Sequence, residues 1–200
     1  MNYSSDVPVM DWYIALKERG YVMKSVNTKT ITLTGVLLAI CIIFQFFKGI
    51  SPLISGPVVN AIIIIATAAV GLWSGTAIAL LSPIVAYILG ATPILQIIPL
   101  MIPVIMAGNW IMVGATALYK KNDDVLRGVA TLIVGAVCKA AFLWIMVAFV
   151  MLPIFGKNIP TPQQIAMKTM FSTVQLITAL IGILIALLVW KRIGQFIEQN

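Results

Sequence analysis

Two lysines, Lys139 and Lys168, lie inside long apolar segments, while every acidic residue of the chain lies outside them. Asp6, Asp11 and Glu18 precede the first apolar run, Asp123 and Asp124 sit in a polar stretch, and Glu198 is close to the last residue. An ammonium at bilayer depth costs at least about 2.5 kcal/mol unless it is paired or reaches the interface. With no carboxylate in these segments to pair with, an external anion is the natural partner, and the chemistry implied is capture of a small acidic solute. The residue inventory also excludes chemistries. There is no histidine, so Ser–His and Cys–His nucleophilic constellations cannot be built from this chain. A zinc or di-metal site lacks ligands, and no resident cofactor is expected. Cys41 and Cys138 fall in apolar runs, where free cysteine acts as a small hydrophobe. The chain is therefore read as a non-enzyme.

The elements that must carry these lysines follow from composition. Of 200 residues, 61% are hydrophobic and 10% charged, beyond what a soluble domain of this length needs. Continuous apolar runs recur at the length of about 20 residues that crosses a bilayer, and they do not alternate as barrel strands do. The fold class expected is an all-α membrane protein, a bundle of six transmembrane helices over about 30–48, 54–72, 74–90, 94–118, 127–152 and 164–190. Glycine and proline clusters mark the breaks, among them Lys48-Gly49-Ile50-Ser51-Pro52, Gly71 to Gly75 and Gly90-Ala91-Thr92-Pro93. With six spans, one side of the membrane receives Lys17, Arg19, Lys24, Lys29, Lys120, Lys121, Arg127, Lys191 and Arg192, and the other only Lys48 and Lys157. The positive-inside rule then places both termini in the cytoplasm. This divides the chain into a cytoplasmic N-terminal segment 1–29, a transmembrane domain 30–190 and a cytoplasmic tail 191–200. Asp11 to Lys24 has the composition of a short interfacial helix, and Met23 is an alternative start. The net charge of +7 is explained by these flanking residues and does not imply nucleic acid.

Counting helical rise from the span ends puts Asn109, Lys139 and Gln175 at a common depth of roughly 16–23 Å. Their amide oxygens suit an ammonium and their nitrogens a ligand. A second layer, nearer the outside of the membrane, is expected to hold Lys168, Asn60, Gln96 and Tyr87. Lys168 and Gln175, seven residues apart, share a helical face. Trp144 lies five residues from Lys139. Pro99 and Pro103 fall between Gln96 and Asn109, so the fourth span is expected to kink beside the cavity. These eight polar and aromatic residues form the expected substrate site.

Six short spans, cytoplasmic termini and the segment Thr34-Gly35-Val36-Leu37-Leu38-Ala39 resemble the substrate-binding S component of energy-coupling factor vitamin transporters. Gly35-x-x-x-Ala39 is similar to that family's Ala-x-x-x-Ala pattern, and small residues four apart allow another helix to approach closely. The stretch from Gly56-Pro57-Val58-Val59-Asn60 through Ser82-Pro83 to Ile98-Pro99-Leu100-Met101-Ile102-Pro103 and Gly108-Asn109 resembles the subgroup that includes pantothenate-specific members. The resemblance implies a vitamin-binding subunit of a bacterial plasma membrane. Its partners would be a membrane-embedded coupling subunit, contacted through Gly35 and Ala39, and two cytoplasmic ATPases. No phosphate-loop motif is present, so ATP hydrolysis would come from those partners. Pantothenate carries the carboxylate, hydroxyls and amide that the lysines and amides suit; a hydroxymethylpyrimidine-like precursor would use the amides alone. A self-sufficient secondary transporter is the rival reading, but such proteins commonly use intramembrane acids or histidines, which are missing here.

Overall fold

A computed structural model of the chain describes residues 28–47, 51–119 and 125–198. The interfacial helix expected over Asp11 to Lys24, the alternative start at Met23 and most of the charged loop 120–127 lie outside the described residues. Among the described residues the chain is helical, with no strand. Helix α1 is Thr28–Phe46, and α2 is Pro52–Ile65, extended by a π-helical turn Ala66–Val70. Then follow α3 (Leu72–Ile88), α4 (Pro93–Ile97), α5 (Met101–Tyr119) and α6 (Val125–Ile145). A π-helical segment Met146–Met151 leads from α6 into α7 (Leu152–Phe155). Helix α8 (Thr161–Thr169) passes through a third π-helical turn, Met170–Val174, into α9 (Gln175–Glu198).

Five helical stretches are long and apolar enough to cross a membrane: Thr28–Phe46, Pro52–Val70, Met101–Tyr119, Leu126–Asn158 and Thr161–Lys191. Leu72–Ile88 is apolar but shorter, about 25 Å at helical rise. Burial is distributed as a bilayer requires. Large apolar side chains such as Trp73, Ile88 and Leu126 face outward, whereas Gln45, Asn60, Asn109 and Lys139 are enclosed. In lipid an apolar surface costs nothing and a polar one must be satisfied internally.

The junction after α2 is a single residue, Gly71, with φ of 141°, a conformation that favours glycine. It reverses the chain so that α3 packs back on α2, and a Cβ at Gly75 would run into Thr67. The fourth expected span is a correction: 94–118 is not one kinked helix but α4 and α5, separated by Ile98 to Leu100. Pro99 sits in that break, and Pro103 falls in the first turn of α5, where a missing amide donor is harmless.

Small residues set the interhelical distances around the centre. A Cβ on Gly182 of α9 would lie 2.7 Å from Asn60 Cβ and 2.8 Å from the Pro57 carbonyl oxygen. One on Gly56 of α2 would lie 2.8 Å from the Thr178 methyl. Gly108 of α5 abuts Leu143 of α6, and Gly135 of α6 abuts Ala115. These contacts pair α2 with α9 and α5 with α6, bringing four helix midpoints together.

A buried lysine held by two asparagines

Each polar residue at the centre comes from the middle of a different helix. Asn60 is in α2, Asn109 in α5 and Lys139 in α6, all enclosed, with Lys139 only 3% exposed. Lys139 Nζ donates to Asn60 Oδ1 at 2.6 Å and to Asn109 Oδ1 at 2.9 Å. The amide orientations are dictated from the other side. Asn60 Nδ2 donates to the Gly56 carbonyl at 3.0 Å, and Asn109 Nδ2 donates to the Ala79 carbonyl at 3.2 Å and to Ser82 Oγ at 3.4 Å. A carbonyl accepts only, so each nitrogen must face it and each oxygen must face the ammonium. The expectation that the amide nitrogens of Asn109 would serve a ligand is corrected accordingly: backbone and Ser82 take them.

The same alternation reaches α1. Gln45 Nε2 donates to the Ser82 carbonyl at 3.0 Å, which again turns the amide oxygen the other way. Ser82 thus ties Gln45 and Asn109 to one turn of α3. Gln45 Oε1 is buried with no hydrogen-bond partner, as are Ser55 Oγ and Thr92 Oγ1. All three residues line a cavity of ≈ 80 Å³ together with Asn60, Asn109, Lys139, Ser82 and Gln175. Its apolar wall comes from Pro52, Val59, Pro83, Pro93, Ile105, Met170, Phe171 and Val174.

Sequence reasoning and structure divide here. Lys139, Asn109 and Gln175 share the cavity, and Asn60 joins them rather than a separate outer layer. The displacement has a simple cause: rise counted from residue 94 assumes an unbroken helix, and the break before α5 shortens the path to Asn109. Lys168, Gln96, Tyr87 and Trp144 do not line the cavity. The π-helical turn Met170–Val174 lies between Lys168 and Gln175; its wider turn breaks the seven-residue coincidence of faces, and Lys168 is exposed. Gln96 instead donates to the Tyr87 carbonyl at 2.7 Å. Tyr87 packs against an apolar cluster that includes Leu95, Met101, Leu143 and Phe171, and Trp144 is exposed, edge-on to Phe149. Sequence reasoning missed Gln45, Ser55 and Thr92. Gln45 had a visible signal, an amide inside an apolar run; Ser55 and Thr92 had none, since small hydroxyls are common at helix starts.

Gly35 and Ala39 are exposed on α1, and nothing lies within 4 Å of where a Gly35 Cβ would sit. The face of α1 that packs inward is a different one, with Cys41 and Gln45 buried and Thr34 Oγ1 donating to Ser74 Oγ at 2.7 Å.

A helical bundle apolar outside and polar at its centre, with a cavity beside a buried lysine, is the architecture of a membrane-embedded protein with an internal polar site. The family model described as "ECF transporter, substrate-specific component" matches residues 29–194, and the chain belongs to that family. It is thus a substrate-specific subunit of a transporter rather than an enzyme, and a multi-pass membrane protein. No curated protein and no solved structure matches the chain.

Proposed function

We propose that this chain is the solute-capturing subunit of an ATP-driven importer, that its solute is a small acidic vitamin or precursor, and that pantothenate is the first ligand to test. The observation that carries the reading is the Asn60–Lys139–Asn109 cluster. Two amide oxygens hold the Lys139 amine in place on the cavity wall, and every acidic residue of the sequence lies outside the apolar helices or at the end of α9. A carboxylate arriving in the cavity meets a fixed cation in a low-dielectric setting, where a charge-assisted hydrogen bond is worth about 1.5–3 kcal/mol. Gln175, on the same cavity, is suited to an amide or hydroxyl of the ligand.

The cavity volume of ≈ 80 Å³ is below the several hundred Å³ usual for a small-molecule site. Capture of a vitamin-sized solute therefore widens it, and Met170, unbranched and half-buried on its wall, is the least costly side chain to move. In this reading α3 is the sixth span and both termini are cytoplasmic, an orientation supported by the nine-to-two distribution of basic residues. The exposed Gly35–Ala39 surface is where a membrane-embedded coupling subunit docks, with two ATPases on its cytoplasmic side. Native mass spectrometry of the purified protein tests the solute class directly. A retained small carboxylic acid is expected, displaced by added pantothenate. A retained neutral or cationic solute, with no binding of any carboxylic acid, rejects the reading.

A further inference from the structure

Beyond the anion contact, the cavity contains a second, separate demand on its ligand. Gln45 Oε1, Ser55 Oγ and Thr92 Oγ1 are buried and without hydrogen-bond partners, in residues at most 3% exposed. Buried polar atoms are nearly always satisfied in folded proteins, and three exceptions on one cavity call for a partner. Their placement is not random along the bundle. Gln45 is in the last turn of α1, Ser55 in the first turn of α2, and Thr92 directly before α4. Lys139, Asn60 and Asn109 occupy helix middles. The three residues thus lie at helix ends on the side of the bundle that carries the α1–α2 and α3–α4 connections, whereas Lys139 lies at a helix middle.

The local chemistry of each is constrained. Gln45 cannot turn its nitrogen to the cavity, because Ser82 O already holds it; the group presented is an acceptor. Thr92 occupies an N-cap position, yet its side chain makes no capping bond and Pro93 follows it, so its hydroxyl is not spent on the helix. A ligand secondary amide carries its N–H and its carbonyl oxygen on opposite sides of the peptide plane, so the end that serves Gln45 faces away from any acceptor for Ser55 or Thr92. A ligand hydroxyl both donates and accepts, and so can answer Gln45 and one of the two hydroxyls together. We propose that Gln45 is a specificity-determining residue that accepts a hydrogen bond from a ligand hydroxyl, so that the site selects hydroxylated carboxylic acids, bound with the carboxylate inward on Lys139 and the hydroxyl toward the helix ends.

This inference rests on the acidic-solute reading of the same cavity, and the test separates the two. Binding of matched acids is measured by titration calorimetry on the full chain in detergent: pantothenate against its didehydroxy analogue, and γ-hydroxybutyrate against butyrate. In the wild type the hydroxylated member of a pair is expected to bind at least about tenfold more tightly, because an unmade hydrogen bond leaves Gln45 buried and unsatisfied. Gln45→Met, of similar length but without the acceptor, should bring the two members of each pair to within about twofold. Gln45→Asn, which withdraws the oxygen by one methylene, gives the same readout should the methionine variant fail to fold. Acids that bind the wild type with no hydroxyl preference, or a preference that survives in both variants, overturn the role of Gln45 and leave the anion contact standing. Failure of every acid to bind the folded wild type removes the acidic-solute reading and this inference with it.

Discussion

Lys139 has two roles whose energies oppose each other in any substitution experiment. It is a charge at membrane depth, and it is the donor that satisfies the amide oxygens of Asn60 and Asn109. Lys139→Met removes the costly charge but leaves two buried acceptors without that donor, at about 1–3 kcal/mol each. Net destabilisation is expected, visible as a lower melting temperature in detergent. For an acidic ligand, affinity should fall about ten- to a hundredfold by titration calorimetry. Lys139→Arg keeps the charge and should retain more affinity than the methionine variant. Lys168 is exposed and does not line the cavity, so Lys168→Met is expected to change affinity by less than about twofold. A large loss in the Lys168 variant with none in the Lys139 variant would reverse this assignment of the anion contact.

At the level of whole helices, close approach depends on glycines whose neighbours cannot yield. Gly182 faces the Pro57 carbonyl and Asn60 Cβ, so Gly182→Ala must push α9 from α2 and shift Asn60 off Lys139. A loss of about 1–3 kcal/mol in stability is expected, with weakened ligand binding. Gly114 of α5 has open space at its Cβ position, and Gly114→Ala should be neutral or stabilising, by up to about 1 kcal/mol. Thermal unfolding of the two variants side by side checks both. Helix α1 obeys a different logic. Its inner face is tied to α3 through Thr34 and Gln45, while Gly35 and Ala39 face outward with room beside them. Gly35→Trp should therefore leave the bundle folded and ligand affinity within about twofold, yet abolish uptake by the assembled transporter. Lost binding in that variant would place Gly35 in the bundle's own packing.

For the molecule as a whole, the family defines a transport subunit, and the proposed function assigns energy supply to ATPase partners. The purified chain should bind its solute without ATP. In liposomes it should not concentrate that solute, whatever ion gradient is imposed, until a coupling subunit and ATPases are added. Concentrative, ion-driven uptake by this chain alone would establish a secondary transporter instead.

Membrane class, the helical character and the family were legible in the chain's composition, run lengths and small-residue pattern, because hydrocarbon thickness and backbone satisfaction act on every residue of a span alike. Lys139 stood out for the same reason: a charge in an apolar run is conspicuous wherever its partners lie. What a linear reading could not supply is register. Counting rise along uninterrupted helices put Asn60 in the wrong layer, joined Lys168 to Gln175 and turned the α4–α5 break into a kink. One short break and one π-helical turn rotate or shorten everything beyond them. The direction of each amide was likewise undecided until the carbonyls of Gly56, Ala79 and Ser82 came into place, since an amide is symmetric in shape and opposite in function at its two ends. Gln45, Ser55 and Thr92 belong to three separate helix ends, and of the three only Gln45, an amide in an apolar run, stands out in sequence. Only packing brings them to one cavity, because helix contacts and not chain proximity join positions 45, 55 and 92.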